Sequence, residues 1–327
     1  MNSEQSPLLL KNAKQFATKK IQQLSVMSLF LAFAIMTVAP ACSRAMQNPP
    51  PQQPPQNNAA KLVEYKTFHS DKLGRDVRYA VQLPPSYETT KKKYPVLIFM
   101  LGLFENISHW EDRGGSAAAD KLRADGKIGE MIIVSVAAEN GLYTDSLDGK
   151  APWEQAYSTE LIKHIDATYR TMPGPQHRAI GGISLGGYGA LKIAYRHPEM
   201  FGVVIAHCAA ILPAFPPKPS QDNPRSFYGL FSSVFGDPYD KEMWADNDPV
   251  VLAQRNAAAI KKSGLKIYFD CGTEDRFGFF NGAKTLDSTL TSAQITHEYH
   301  LFPGNHGWPY TVGVMDHSFP FAWQTIK

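Results

Sequence analysis

Cysteine is scarce: the 327 residues hold three, Cys42, Cys208 and Cys271. So few cannot build a disulfide framework, and no Cys/His cluster has the spacing of a metal site. Charge of one sign is lacking too. Lys and Arg number 33 against 30 Asp and Glu, a formal net charge of +3. That surplus lies within residues 1–42, where Lys11, Lys14, Lys19 and Lys20 face Glu4 alone, so the rest of the chain is formally neutral. No basic stripe with interleaved aromatics occurs, which excludes nucleic acid as an expected partner. Internal repeats are absent. The one long apolar run near the start, 26–39, is short for a membrane-spanning helix.

What is present at the start reads as an address rather than as fold. A lysine-containing stretch, the apolar run and Ala39-Pro40-Ala41 together resemble a secretory leader over residues 1–46. Cys42 follows directly, so lipid attachment there, and with it membrane attachment, is a second expectation. Ala39 and Pro40 depart from the usual lipoprotein cleavage pattern, and an uncleaved N-terminal anchor is the alternative. Residues 47–60 are rich in Pro and Gln, which favours an extended solvated tether. The folded domain is expected over 61–327, on the outer side of a membrane.

From residue 62 two alternating segments, 62–68 and 77–83, predict an antiparallel hairpin at a sheet edge. Continuous apolar runs follow at 96–101, 131–136, 179–183, 203–208 and 267–271. Such runs suit parallel strands buried on both faces. Helical stretches at 152–169, 187–197 and 249–263 separate them, and a strand at 295–302 and a C-terminal helix close the chain. Alternation of this kind predicts α/β architecture, a mostly parallel sheet flanked by helices. Residues 211–248, with six prolines and seven aromatics, are too long for a plain connection. They are expected as an inserted cap over the C-terminal edge of the sheet, where ligands bind in such folds.

Gly182-Ile183-Ser184-Leu185-Gly186 is a G-x-S-x-G motif between an apolar strand and a helix that starts with small residues. That context predicts a nucleophile elbow on an α/β-hydrolase fold, with Ser184 as nucleophile. A serine hydroxyl needs a base, and the base an orienting acid, in the chain order Ser, Asp/Glu, His. Asp275, just past the strand at 267–271, is the expected acid, with Asp270 and Glu274 as alternatives. His306, between glycines after the last strand, is the expected base. His207 competes, although a satisfied buried histidine explains it as well. An oxyanion hole needs two aimed N–H donors, here those of Leu185 and of Leu103, which follows Gly102.

The segment Gly181–Leu191 resembles the nucleophile region of the putative-esterase family, as do Asp145–Gly149, Pro152-Trp153-Glu154, His164–Arg170, Cys271–Asp275 and Pro303–Trp308. That family groups esterase-D-like enzymes, acyl and feruloyl esterases, and mycolyltransferases. The resemblance implies Ser184, Asp275 and His306 as a triad, no cofactor and no metal, and an acyl-enzyme route. Leu101-Gly102 stands where many members carry His-Gly, which leaves the backbone donor but changes the loop. The expected substrate is a small-molecule or polymer-linked acyl, acetyl or feruloyl-type ester, with Trp153, Trp308 and the aromatic insertion as candidate pocket walls. The insertion's aromatics packing on one another is the competing reading. An acyltransferase using the same triad, and a non-catalytic binding protein on the same fold, are the rival functions.

Overall fold

The computed structural model describes residues 63–327 apart from 138, 140 and 225. The leader, the tether and Cys42 therefore lie outside the described residues. Eight strands form one sheet: β1 (Val63–Ser70), β2 (Arg75–Gln82), β3 (Val96–Met100), β4 (Ile132–Val136), β5 (Arg178–Ile183), β6 (Val203–His207), β7 (Lys266–Gly272) and β8 (Glu298–Phe302). Their order across the sheet is β1-β2-β4-β3-β5-β6-β7-β8. β1 and β2 pair antiparallel, β2 joins β4 antiparallel, and all the others are parallel. The fold is the expected mostly parallel sheet with an antiparallel N-terminal hairpin.

Every residue of β3, β4 and β6 is buried, which is why these segments read as unbroken apolar runs. Alternate side chains feed two cores, one on each face. Ile98, Val134 and Val204 pack on one side; Leu97, Ile133 and Ile205 pack on the other. Helices α1 (Gly115–Ala124) and α2 (Trp308–Ile326) cover the second face, where Trp110 stacks on Phe319 at a ring separation of 6.3 Å. No helix among the described residues is long and apolar enough to cross a membrane.

Three expectations differ from the observed elements. The stretch 152–169 is interrupted by a π-helical turn, Ala156–Leu161, from which Tyr157 donates to the Ala137 carbonyl at 2.6 Å. The stretch 249–263 is two helices, Pro249–Arg255 and Ala257–Ser263, broken at Asn256, whose amide donates to the Tyr195 carbonyl at 2.9 Å. The last strand starts at Glu298 rather than 295, because the preceding His297 ring is held by the Ile295 carbonyl and Asp287. The helix Phe279–Ser292 has no counterpart among the segments the sequence pattern predicts.

Register fixes the site. Met100 lies beside Gly182, Ile183 beside His207, and His207 beside Asp270. The C-terminal ends of β3, β5, β6 and β7 are therefore level. The chain turns that leave them, at Gly102, Ser184, Cys208 and Asp275, open at one edge of the sheet.

Candidate active site

Ser184 has φ 57° and ψ −119°, a conformation rarely adopted by a side-chain-bearing residue. Three backbone hydrogen bonds hold it there. Its N–H donates to the His207 carbonyl at 2.8 Å, and its carbonyl accepts from Tyr188 and Ala210 at 3.0 Å each. The turn closes only because its neighbours lack side chains. A Cβ on Gly186 would lie 1.9 Å from the Met100 carbonyl oxygen, and one on Gly182 would lie 2.5 Å from that same atom. The helix Leu185–Arg196 begins immediately after the serine, so the Leu185 N–H precedes any carbonyl its own helix could offer.

Asp275, His306 and Ser184 form one hydrogen-bonded chain. His306 Nε2 is 2.9 Å from Ser184 Oγ, and His306 Nδ1 is 2.7 Å from Asp275 Oδ2. The other Asp275 oxygen accepts from the Phe277 N–H at 2.8 Å. Phe277 and Phe279 stand edge-on to the imidazole, with ring separations of 4.8 and 5.4 Å. Cys208 and Cys271 are free, buried thiols beside this chain, and Cys271 Sγ lies 3.6 Å from Asp275 Oδ2. Donor atoms of Cys208, Asp275 and His306 fall within 4.8 Å of one another. Asp275 and His306 are already joined to each other, so this cluster is a proton-holding arrangement first.

The electrostatics follow from burial opposed by pairing. Burial disfavours the charged carboxylate of Asp275, yet the His306 hydrogen bond and charge, with backbone donors, keep its pKa below the usual value. Burial likewise pulls His306 down, but the hydrogen bond and charge of Asp275, together with the Cys208 contact, outweigh it and bring the pKa up to about 9. The full rise requires negative charge on Cys208 beside the imidazole. The Cys271 contact and burial hold the Cys208 thiol far above its ordinary range, so it is neutral where His306 titrates. The imidazole therefore loses its proton between the ordinary 6.5 and about 9. Stability contributed by the raised pKa is complete below the unfolded-chain value and lost as pH rises through the folded one. Reactivity that needs neutral His306 moves oppositely. The rate profile of kcat/KM against pH is expected to climb along a single limb in that interval.

The remaining sequence candidates fall into clear places. Asp270 does not reach the site. It is buried with His207, Nδ1 to Oδ2 at 2.8 Å, and accepts from Tyr310 at 2.9 Å, while His207 Nε2 is 3.2 Å from Ser318 Oγ. This second array lies beneath the serine turn and ties β6, β7 and α2 together. Asp270→Ala takes away the partner of the buried His207 Nδ1 and of the Tyr310 hydroxyl. Urea unfolding should show a loss of about 3–5 kcal/mol. Glu274 is an exposed loop residue whose N–H donates to the Gly304 carbonyl. Trp153 does not line the cleft at Ser184. It is buried against Tyr157 at a ring separation of 5.7 Å with the Arg75 guanidinium over its face. Trp308 does line that cleft, although its indole N–H is spent on Glu105 Oε1 at 2.6 Å.

Glu105 is not among the sequence candidates. Its other oxygen accepts the Gly102 N–H at 2.9 Å, so one carboxylate clamps the turn after β3 to the start of α2. The next N–H along, that of Leu103, takes no acceptor among the described residues. Tyr143 fixes the same loop from below through the Leu101 carbonyl, at 2.9 Å. Sequence carried no sign of this role, since a glutamate in a loop reads as a solvated charge.

A cleft of about 760 Å³ opens over Ser184. The insertion supplies one wall through Leu212, Phe215, Phe227 and Phe231, and the turn after β3 supplies another through Leu103 and Phe104. Both readings of the insertion hold in part. Phe215 stacks on Tyr239 at 4.0 Å and meets Trp244 at 5.3 Å, a small core of its own. Phe227 is exposed. Of the four large apolar side chains exposed among the described residues, Phe104, Phe227 and Phe277 all border this cleft. Clustering of that kind marks a binding surface rather than chance exposure.

A level row of strand ends, a strained serine on a strand-to-helix turn and a histidine–aspartate pair within reach define the class: an α/β-hydrolase of the esterase type. The chain belongs to the putative-esterase family, whose profile matches residues 70–320. Among curated relatives, it is 33% identical over 148 residues to an endo-1,4-beta-xylanase/feruloyl esterase of Xylanibacter ruminicola, covering 43% of this chain and 20% of that one. It is 26% identical over 269 residues to an esterase of Mycobacterium tuberculosis, covering 74% and 55% respectively. The chain thus spans only part of the length of these relatives. A solved ferulic acid esterase matches with a TM-score of 0.69 and 28% identity, over 81% of this chain and 98% of that one. An S-formylglutathione hydrolase from Agrobacterium tumefaciens shares the fold, with a TM-score of 0.63 and 17% identity over 81% and 95%.

Proposed function

We propose that this protein hydrolyses carboxylic esters through a covalent acyl-enzyme on Ser184, with His306 as base and Asp275 as its orienting acid. The observation that carries this reading is the unbroken hydrogen-bonded chain from Asp275 through His306 to the strained Ser184. His306 takes the Ser184 proton as Oγ attacks the ester carbonyl. The negative charge that develops on the carbonyl oxygen is met by the N–H groups of Leu185 and Leu103. His306 then gives its proton to the leaving alcohol, and water, activated by the same imidazole, releases the acid. Asp275 holds the tautomer that leaves Nε2 free to accept, and it stabilises the imidazolium once formed.

The substrate in this reading is an aryl-bearing acyl ester such as a ferulate. The exposed aromatic rim supports it, as do relatives named for feruloyl or ferulic acid ester cleavage. We assign residues 61–327 to the catalytic domain, with 1–46 carrying the export signal and the lipidation site Cys42, and 47–60 as a tether that holds the domain off a membrane. Rapid mixing with 4-nitrophenyl ferulate tests the chemistry. An acyl-enzyme gives a burst of nitrophenolate equal to the enzyme concentration whenever deacylation is the slower step, and methanol added as acceptor then raises the steady rate. A first-order approach without any burst or adduct, at every pH tried, would contradict it.

A further inference from the structure

Two arginines border the Ser184 cleft, Arg113 from the segment after β3 and Arg276 from the loop after β7. Neither guanidinium has an ion pair or side-chain hydrogen bond among the described residues. Arg276 lies over the Phe277 ring at 4.8 Å, a contact that orients the side chain and leaves its N–H donors open. Lone surface arginines are ordinary, but here the nearby acids are committed elsewhere. Glu111 accepts from Tyr65 at 2.5 Å, Asp112 from Ser108 at 2.6 Å, and Asp275 holds His306. Glu105 is the only carboxylate among the described lining residues, and both its oxygens are occupied by Gly102 and Trp308. Glu105 keeps its charge but reaches neither guanidinium, so the described lining holds two guanidinium groups against one carboxylate, within apolar walls where water screens charge poorly.

We infer that the substrate carries an anionic group, a carboxylate, on its alcohol portion, and that Arg276 is the residue that binds it. This rests on the ester-hydrolase reading above. The side of the cleft is fixed by chemistry. His306 protonates the departing oxygen, so the alcohol leaves on the His306 side. Arg276 directly follows Asp275, and its backbone N–H is tied to Asn305 Oδ1 at 3.0 Å, next to His306 in the chain. Its five N–H donors suit a planar carboxylate in a paired geometry. Arg113 also borders the cleft, from the segment that follows the Leu103 turn, and adds positive charge without defining the site. Phe277 and Phe227 supply the apolar surface for the rest of the ligand.

The test compares a hydroxycinnamoyl ester of a methyl glycoside, the same ester of the matching methyl glycosiduronate, and the neutral glycoside acylated instead with a dicarboxylic half-acid. Wild-type protein is expected to prefer the glycosiduronate ester over the neutral one by about tenfold in kcat/KM, a ratio worth about 1.4 kcal/mol. Arg276→Gln should erase that preference while leaving neutral-ester turnover within about twofold. Turnover of the neutral ester reports separately on the hydrolase reading. Calorimetry of the deacylated glycosiduronate and glycoside with Ser184→Ala protein reads the same preference without any chemistry. Equal affinity for the two glycosides, an unchanged preference in Arg276→Gln, or preference for the half-acid arm would each overturn the inference.

Discussion

Replacing Ser184 with alanine is expected to lower kcat/KM for an aryl ester by about 10⁶-fold, the cost of removing a nucleophile whose partners act only through it. The fold should not register the change. The hydroxyl contributes one hydrogen bond, to His306, and the three bonds that hold the turn all use backbone atoms. Thermal unfolding should therefore stay close to wild type, and substrate affinity measured by calorimetry should survive. Threonine is a harsher test at the same place. A β-branched residue at φ 57° adds strain to the turn and crowds the helix start, so Ser184→Thr should lose both activity and stability.

Asp275→Asn is the second large effect, a loss in kcat of about 10⁴-fold with the shape of the site preserved. The amide cannot stabilise an imidazolium and favours the wrong tautomer of His306. It also removes the chief cause of the raised pKa. With the carboxylate gone, burial is opposed only by the Cys208 contact, so the rising limb of the rate profile should move to lower pH. A variant that lost rate without moving the limb would show that Asp275 merely packs. The Asp270→Ala variant provides the contrast, because its carboxylate serves a buried pair under the serine turn and should cost stability first.

The sheet and the serine turn were legible because both rest on short-range rules. Strands buried on two faces must be continuously apolar, as β3, β4 and β6 are, and a tight strand-to-helix turn must be flanked by glycine, as at Gly182 and Gly186. Chain order alone placed Asp275 and His306 at neighbouring strand ends. Other features depend on long-range contacts that no local pattern records. Phe279–Ser292 reads as polar until Ala283, Leu286 and Leu290 are seen to share its buried face. Trp153 and Trp308 look alike in sequence, yet one packs behind the sheet edge on Tyr157 and the other borders the cleft. Glu105 pairs with a residue 203 positions away, a relation that only the folded chain creates.

The most direct measurement is mass spectrometry of the intact protein, followed by peptide mapping, after brief acid quench from a slowly deacylating aryl ester. The account predicts one acyl group per chain, attached at Ser184, absent from Ser184→Ala and depleted when the quench is delayed. Turnover without an adduct, or an adduct mapped to another residue such as Cys208, would contradict it.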